Sequence, residues 1–246
     1  VQNPDVPINV HVNNLDVTVL LDVSGFSLHQ RGYRTKDHIA PLNEALAAGL
    51  LLLSGWDRKT DLYDPMCGSG TILVEAAMMS QNLAPRLFST KKFAIEKWDN
   101  FDLMLWKSVK KALKQEIEPS SVKIYGSDIS SKSIQMTKFS AKCAAVDDII
   151  SVEQADFFKK KNSFNEGFII SNPPYGERLK EEDIIEFYKE IGNTFKREYA
   201  GFKAWIISSN FQALKFIGLK PSRKIPLKNG ALDCKFQKYE MYSGSK

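Results

Sequence analysis

Cysteine is scarce in this chain of 246 residues, and the three present, Cys67, Cys143 and Cys234, show neither metal-ligand spacing nor the even number of a disulfide framework. A reducing cytosol is the compartment they fit. Histidine is as sparse: His11, His29 and His38 all precede residue 39, which leaves little from which to build a zinc site or a serine or cysteine triad. No metal is therefore expected. No apolar run reaches membrane-spanning length, the densest being Ala45 to Leu53, so the chain reads as soluble and cytoplasmic, with no membrane partner. Its opening, Val1-Gln2-Asn3-Pro4-Asp5-Val6-Pro7, lacks the basic and apolar layout of a signal peptide. Internal repeats and low-complexity tracts are missing as well.

What remains is a hydrophobic content of 43%, enough for one large core or one core with a small appendage, and a net charge of +5. That bias fits a polyanionic partner without demanding one. Lysine clusters at Lys91-Lys92, Lys107 to Lys114, Lys159 to Lys161 and Lys220 to Lys228 sharpen it slightly, although each alone reads as a solvated face.

Strand and helix signals alternate along the chain. Val17 to Val23 is the clearest early strand, Pro41 is placed to open a helix ending near Ser54, and Gly55 suits its stop. Asp61 to Asp64 reads as a strand, Pro65 to Gly70 as a glycine-rich turn, and the following residues to Ser80 as a helix. Residues 81–121 interrupt the alternation, with Val109, Leu113 and Ile117 spaced as an inserted helix. Strands then follow at 122–128, 149–153, 167–171 and 203–208. Helices are expected at 131–145 and over the Ile184, Tyr188, Ile191, Phe195, Tyr199 stripe. Asn229-Gly230 is a favoured hairpin pair between two last strands. The pattern is that of a Rossmann-like α/β fold, a mostly parallel sheet with a C-terminal antiparallel hairpin and a small N-terminal extension.

Chemistry concentrates at the ends of these strands. Asn172-Pro173-Pro174-Tyr175 follows the apolar run Gly167 to Ile170, at the sheet edge where open α/β proteins bind ligands. Two prolines remove competing N–H donors, which leaves the Asn172 amide and main-chain carbonyls to grip an –NH₂ group, while Tyr175 offers a face for a base to stack on. Asp64-Pro65-Met66-Cys67-Gly68-Ser69-Gly70-Thr71 passes from strand to helix as a ligand-approach turn does. It lacks the third glycine of a dinucleotide fingerprint, which disfavours NAD(P). Asp128, with Ile129 beside it, is placed to accept from ribose hydroxyls or to cap a helix. Asp156 is placed to accept from an adenine amine with Phe157 flanking the ring, or is a plain loop acid.

The series Asp64 to Thr71, Asp128, Asp156 and Ser171 to Leu179 resembles the class I S-adenosylmethionine-dependent methyltransferases. With Ser24 to Arg34 and Ala40 to Glu44 it is similar, more narrowly, to the THUMP-associated RNA methyltransferases of the RlmL (YcbY) type, which methylate guanine N2 in 23S rRNA. The resemblance implies S-adenosylmethionine as cofactor and RNA, most naturally ribosomal, as partner. It places Asp64, Cys67, Gly68, Ser69, Gly70 and Thr71 at the methionine and ribose end, and Asp128 and Ile129 on the ribose. Asp156 and Phe157 fall at the adenine, and Asn172 to Tyr175 form the catalytic loop, Asn172 also touching the cofactor. Arg31, Tyr33, Arg34, Tyr175 and Arg178 lie on the substrate side. Residues 39–246 would be the methyltransferase domain and 1–38 an extension, with no room before Val17 for the THUMP module of that family. Adenine-N6 transfer, protein-glutamine transfer and a catalytically silent RNA-binding module are the competing functions.

Overall fold

The computed structural model describes residues 4–34, 42–162, 164, 166–176 and 181–242. In chain order, β1 (Ile8–Asn13) and β2 (Asp16–Leu21) precede α1 (Glu44–Ser54), β3 (Leu62–Asp64) and α2 (Thr71–Ser80). The helix α3 (Leu103–Gln115) is followed by β4 (Ile124–Asp128), α4 (Ser131–Cys143), β5 (Ile150–Gln154) and β6 (Phe168–Ser171). The chain then runs through α5 (Glu181–Glu198), β7 (Lys203–Ser208), β8 (Arg223–Asn229) and β9 (Leu232–Glu240). Two compact units result, one of residues 1–32 with 82–118, the other of 33–81 with 119–246.

In the smaller unit, β1 and β2 form a two-stranded antiparallel ribbon. Its register sets Ile8, Val10 and Val12 opposite Leu21, Val19 and Val17 on one face, with Asn9, His11 and Asn13 on the other. Helix α3, the inserted helix, starts where the Asp102 carboxylate accepts from Leu105 N (2.8 Å), a side-chain cap that satisfies a free helix donor. Phe26 stacks on Phe93 at 5.5 Å, and the Arg86 guanidinium lies over Phe26 at 4.3 Å.

The larger unit holds a seven-stranded sheet in the order β5-β4-β3-β6-β7-β9-β8. Its first five strands are parallel and β9 is antiparallel to both β7 and β8. The chain moves outward from β3 to β5 and returns to β6 on the other side of β3. Strand order therefore reverses between β3 and β6, where open α/β sheets form a crevice.

Local chemistry explains where elements begin and end. Helix α1 opens after Asn43, whose side chain accepts from Leu46 N, and closes at Gly55 in the left-handed conformation, donating to Leu52 O. The start expected at Pro41 thus falls later, because an asparagine cap lies in reach, and Pro41 itself is outside the described residues. Ile184, Tyr188, Ile191 and Phe195 make the buried stripe of α5, and Tyr199 joins them just past its end. The last hairpin pairs Asn229 with Leu232, so its turn residues are Gly230 and Ala231 instead of Asn229 and Gly230. Only Gly230 of that pair has positive φ (60°), as the first position of a type II′ turn demands. No helix among the described residues is long and apolar enough to cross a membrane.

Two glycines separate packing from entropy. A Cβ on Gly192 would overlap the Ile217 carbonyl, whereas one on Gly49, within α1, meets nothing within 4 Å. Gly192→Ala should cost about 1–3 kcal/mol by overpacking, and Gly49→Ala should gain about 0.5–1 kcal/mol from reduced chain entropy. Chemical denaturation of the two variants checks the opposite signs.

Candidate functional site

Three loops leave the carboxyl ends of β3, β4 and β6 and meet at the reversal of strand order. The first is the glycine turn. Gly68 and Gly70 have φ of 55° and 76°, which a side chain would strain, and Gly70 stands at the N-cap of α2. Gly70 has a second constraint, since a Cβ there would collide with Thr137 of α4. The Thr137 hydroxyl donates to Gly68 O (2.9 Å), and Cys67 N donates to Ser127 O (3.0 Å), so the turn is clamped to β4 and α4. Cys67 itself is buried with its thiol 3.8 Å from Thr137 Oγ1, and burial pushes that thiol well above its ordinary range. Its side chain supports the turn from beneath. Ser69 and Thr71 are buried beside it, and Thr71 Oγ1 accepts from the Arg34 guanidinium (2.8 Å).

Asp128, ending β4, is committed to the same turn. Its Oδ2 accepts from Gly68 N (2.9 Å) and its Oδ1 from Ser130 N (2.9 Å). The cap of α4 is Ser130, whose hydroxyl accepts from Ser133 N. Asp128 is half-buried, and Ile129 next to it is 72% exposed, an apolar side chain beside a carboxylate at the sheet edge. Asp156, beyond β5, accepts from Phe158 N (3.0 Å) and pairs with Lys159 (3.2 Å). Phe157 is only 3% exposed and stacks on Tyr199 at 5.8 Å within the core, so its ring faces inward and not along the edge.

The third loop carries Asn172 to Tyr175. Ser171, the last residue of β6, donates to Asp64 Oδ1 (2.8 Å), which joins the ends of the two strands flanking the reversal. Asp64 is 2% exposed and also accepts from Met66 N (3.2 Å). Desolvation raises its carboxyl to about 7 against these hydrogen bonds, with a further push from Asp128. Tyr188 of α5 donates to Pro174 O (3.2 Å), Asn210 to Tyr175 O (3.0 Å), and the Tyr175 hydroxyl to Asn172 Oδ1 (2.6 Å). Thr137, Tyr188, Asn210 and Asn229 are the supporting residues that sequence reasoning missed. The available signal was a polar residue on a buried helix face, as with Thr137 beside Ile134 and Ala141.

The residues expected on the substrate side divide. Tyr33 donates to Glu75 (2.9 Å) in the interior, and burial with that carboxylate raises its phenol well above the ordinary range. Arg34 pairs with Glu44 (3.4 Å) and donates to Leu42 O, anchoring residues 33–34 onto α1 and α2. Arg31 belongs to the other unit, where it donates to Leu28 O (3.1 Å), and Arg178 lies outside the described residues. Among the described residues no three His, Cys, Asp or Glu side chains converge as a metal site.

A mostly parallel sheet with this strand order, a glycine turn at the reversal and acids after the next two strands define a class I methyltransferase fold. Residues 31–238 match a family described as RMKL-like, methyltransferase domain. The chain belongs to that family. It is 39% identical over 243 residues to slr0064 of Synechocystis, provisionally named an RNA methyltransferase, with 98% of this chain and 63% of that protein covered. It is 37% identical over 247 residues to the ribosomal RNA large subunit methyltransferase K/L of Shewanella sp. (strain MR-4), covering 98% of this chain and 34% of that one. Among solved structures, SMU.472, described provisionally as a methyltransferase and determined in complex with SAH, superposes with a TM-score of 0.90. It is 30% identical and is covered over 99% of this chain and 64% of its own. The chain thus spans less than two thirds of each of these relatives.

Asp64 makes a pH prediction. Its folded carboxyl titrates near 7 and its unfolded one near the ordinary 3.8, so the folded protein holds this proton more tightly. The stability it contributes is complete below about pH 4 and is lost as pH rises through about 7. Asp64→Asn, neutral throughout, should remove that loss. Urea unfolding at about pH 5 and about pH 8 should show parental stability falling relative to the variant, and parallel slopes would contradict the assignment.

Proposed function

We propose that this chain transfers the methyl group of S-adenosylmethionine to an exocyclic amine of an RNA base, with guanine N2 of 23S rRNA as the acceptor. Residues 39–246 are the transferring domain in this reading, 1–38 an extension, and the setting is the cytoplasm. The observation that carries it is the seating of Asn172 to Tyr175 beside the glycine turn, tied to it by the Ser171 to Asp64 hydrogen bond. The names of the K/L and slr0064 relatives support RNA as the substrate.

The edge suits the cofactor. Asp128 keeps lone pairs for ribose hydroxyls after accepting from Gly68 and Ser130, Ile129 gives an apolar surface for a flat ring, and Asp156 can accept from an amine. When bound, the sulfonium supplies an electrophilic methyl group. The chain's own task is to make a poor nucleophile attack. An amine conjugated to its ring has its lone pair delocalised. Asn172 Oδ1 and the Pro173 carbonyl would accept hydrogen bonds from its two N–H groups, turning the lone pair out of conjugation and toward the methyl; the methylated nitrogen then loses one proton to water. Alignment of that kind supplies as much as ~7–11 kcal/mol of a barrier. The base reaches the loop single-stranded or flipped from its stack.

Labelled methyl transfer to undermethylated ribosomal RNA, followed by nucleoside analysis, tests the reading and separates guanine N2 from adenine N6. Asn172→Ala should lose at least about tenfold in transfer, ~1.4 kcal/mol of barrier, with cofactor affinity nearly unchanged. Asn172→Asp should be milder because an acceptor oxygen stays. Asp128→Ala should instead weaken cofactor binding by about 1.5–3 kcal/mol in calorimetry. Asn172→Ala transferring at the parental rate would remove the loop from catalysis.

A further inference from the structure

Tyr175 is held at both ends by asparagines outside its own loop. Its main-chain carbonyl accepts from Asn210 Nδ2 (3.0 Å), just after β7, and its hydroxyl oxygen accepts from Asn229 Nδ2 (3.3 Å), the last residue of β8. A phenol has one proton to give. Cys234 also lies beside this hydroxyl, but sulfur is a weak acceptor; with Asn229 donating to the oxygen, the proton goes to Asn172 Oδ1 at 2.6 Å. Burial holds the Tyr175 phenol well above its ordinary range, so it remains a donor at working pH. Asn229 is free for this task because the sharp turn falls on Gly230 and Ala231, leaving Asn229 as a paired strand residue.

The direction of that proton matters because an asparagine amide has two ends of nearly equal size and opposite hydrogen-bonding character. Turned over, Asn172 would aim an –NH₂ at the acceptor amine and repel it. Only its oxygen can receive the Tyr175 proton, and a carbonyl oxygen keeps a second lone pair for the amine. We propose that Asn229 is a positioning residue for methyl transfer, fixing through the Tyr175 hydroxyl which end of the Asn172 amide meets the acceptor amine. The proposal rests on the amine-transfer reading given above.

Single-turnover transfer to undermethylated ribosomal RNA tests it, beside calorimetry with S-adenosylmethionine and thermal melting. Asn229→Ala should slow transfer by about three- to tenfold, the loss of one hydrogen bond, with cofactor affinity unchanged and melting lowered by only a few degrees. Asn229→Asp, of the same shape, should be at least as slow, because a carboxylate draws the Tyr175 proton away from Asn172. In a Tyr175→Phe background, which has no hydroxyl to orient, Asn229→Ala should add nothing. Parental rates in Asn229→Ala, or losses that multiply with Tyr175→Phe, would overturn the proposal. A second measurement is independent of turnover: in protein carrying ¹³Cζ-tyrosine, the Tyr175 resonance, identified by its disappearance in Tyr175→Phe, should move in Asn229→Ala and Asn229→Asp. An unmoved resonance would refute the contact. Failure of the parental protein to methylate any RNA nucleoside, with the resonance shifted, would refute the amine-transfer reading instead.

Discussion

The Ser171 hydroxyl donates to the Asp64 carboxyl group between the paired strands β6 and β3, where strand order reverses, and two of the three loops of the site start from those two residues. Asp64 leads into the glycine turn, Ser171 into Asn172. A carboxyl group removed from water is costly unless its oxygens are satisfied, so this bond stabilises the fold as well as spacing the two loops. It sets the spacing between the glycine turn and the Asn172 loop before any ligand arrives.

The same device recurs along the edge. The central strands are apolar up to their last residues, apart from Lys203 opening β7, and end in Asp64, Ser127-Asp128, Ser171 and Ser208, all but Asp128 buried. Ser127 bonds Tyr63 (2.6 Å) and donates to Pro65 O, while Ser208 bonds Tyr188 (2.7 Å), which itself holds Pro174 O. Each loop is thus supported by a hydroxyl from beneath. Buried polar groups satisfied in this way rigidify what they touch, because every broken bond would leave a desolvated partner.

Elements set by local chemistry were legible in the amino-acid sequence. The α5 stripe, the Gly55 stop, the glycine turn and the terminal hairpin all declare themselves within a few residues, and the strands fall within two residues of their expected ends. What stayed hidden depends on distance along the chain: Asn210 reaches Tyr175 across 35 residues, Asn229 across 54, and Thr137 reaches Gly68 across 69. Phe157 shows the limit of position alone. It follows an edge acid, yet its side chain turns into the cluster of Phe195 and Tyr199, where an aromatic ring gains more from burial than at a rim.

Asp128 shows how a residue proposed for binding is already committed to the fold. Its two oxygens already accept from Gly68 N and Ser130 N, so the carboxylate shapes the glycine turn and the start of α4 at once. In the proposed reading a ribose would add its hydroxyls to lone pairs whose direction those N–H groups have set. Ordering the carboxylate and the turn is therefore met during folding and not at binding, which is how a preorganised site raises affinity without additional contacts. The arrangement at Asn172 follows the same logic, its oxygen fixed by a tyrosine that is itself fixed by the edge hairpin.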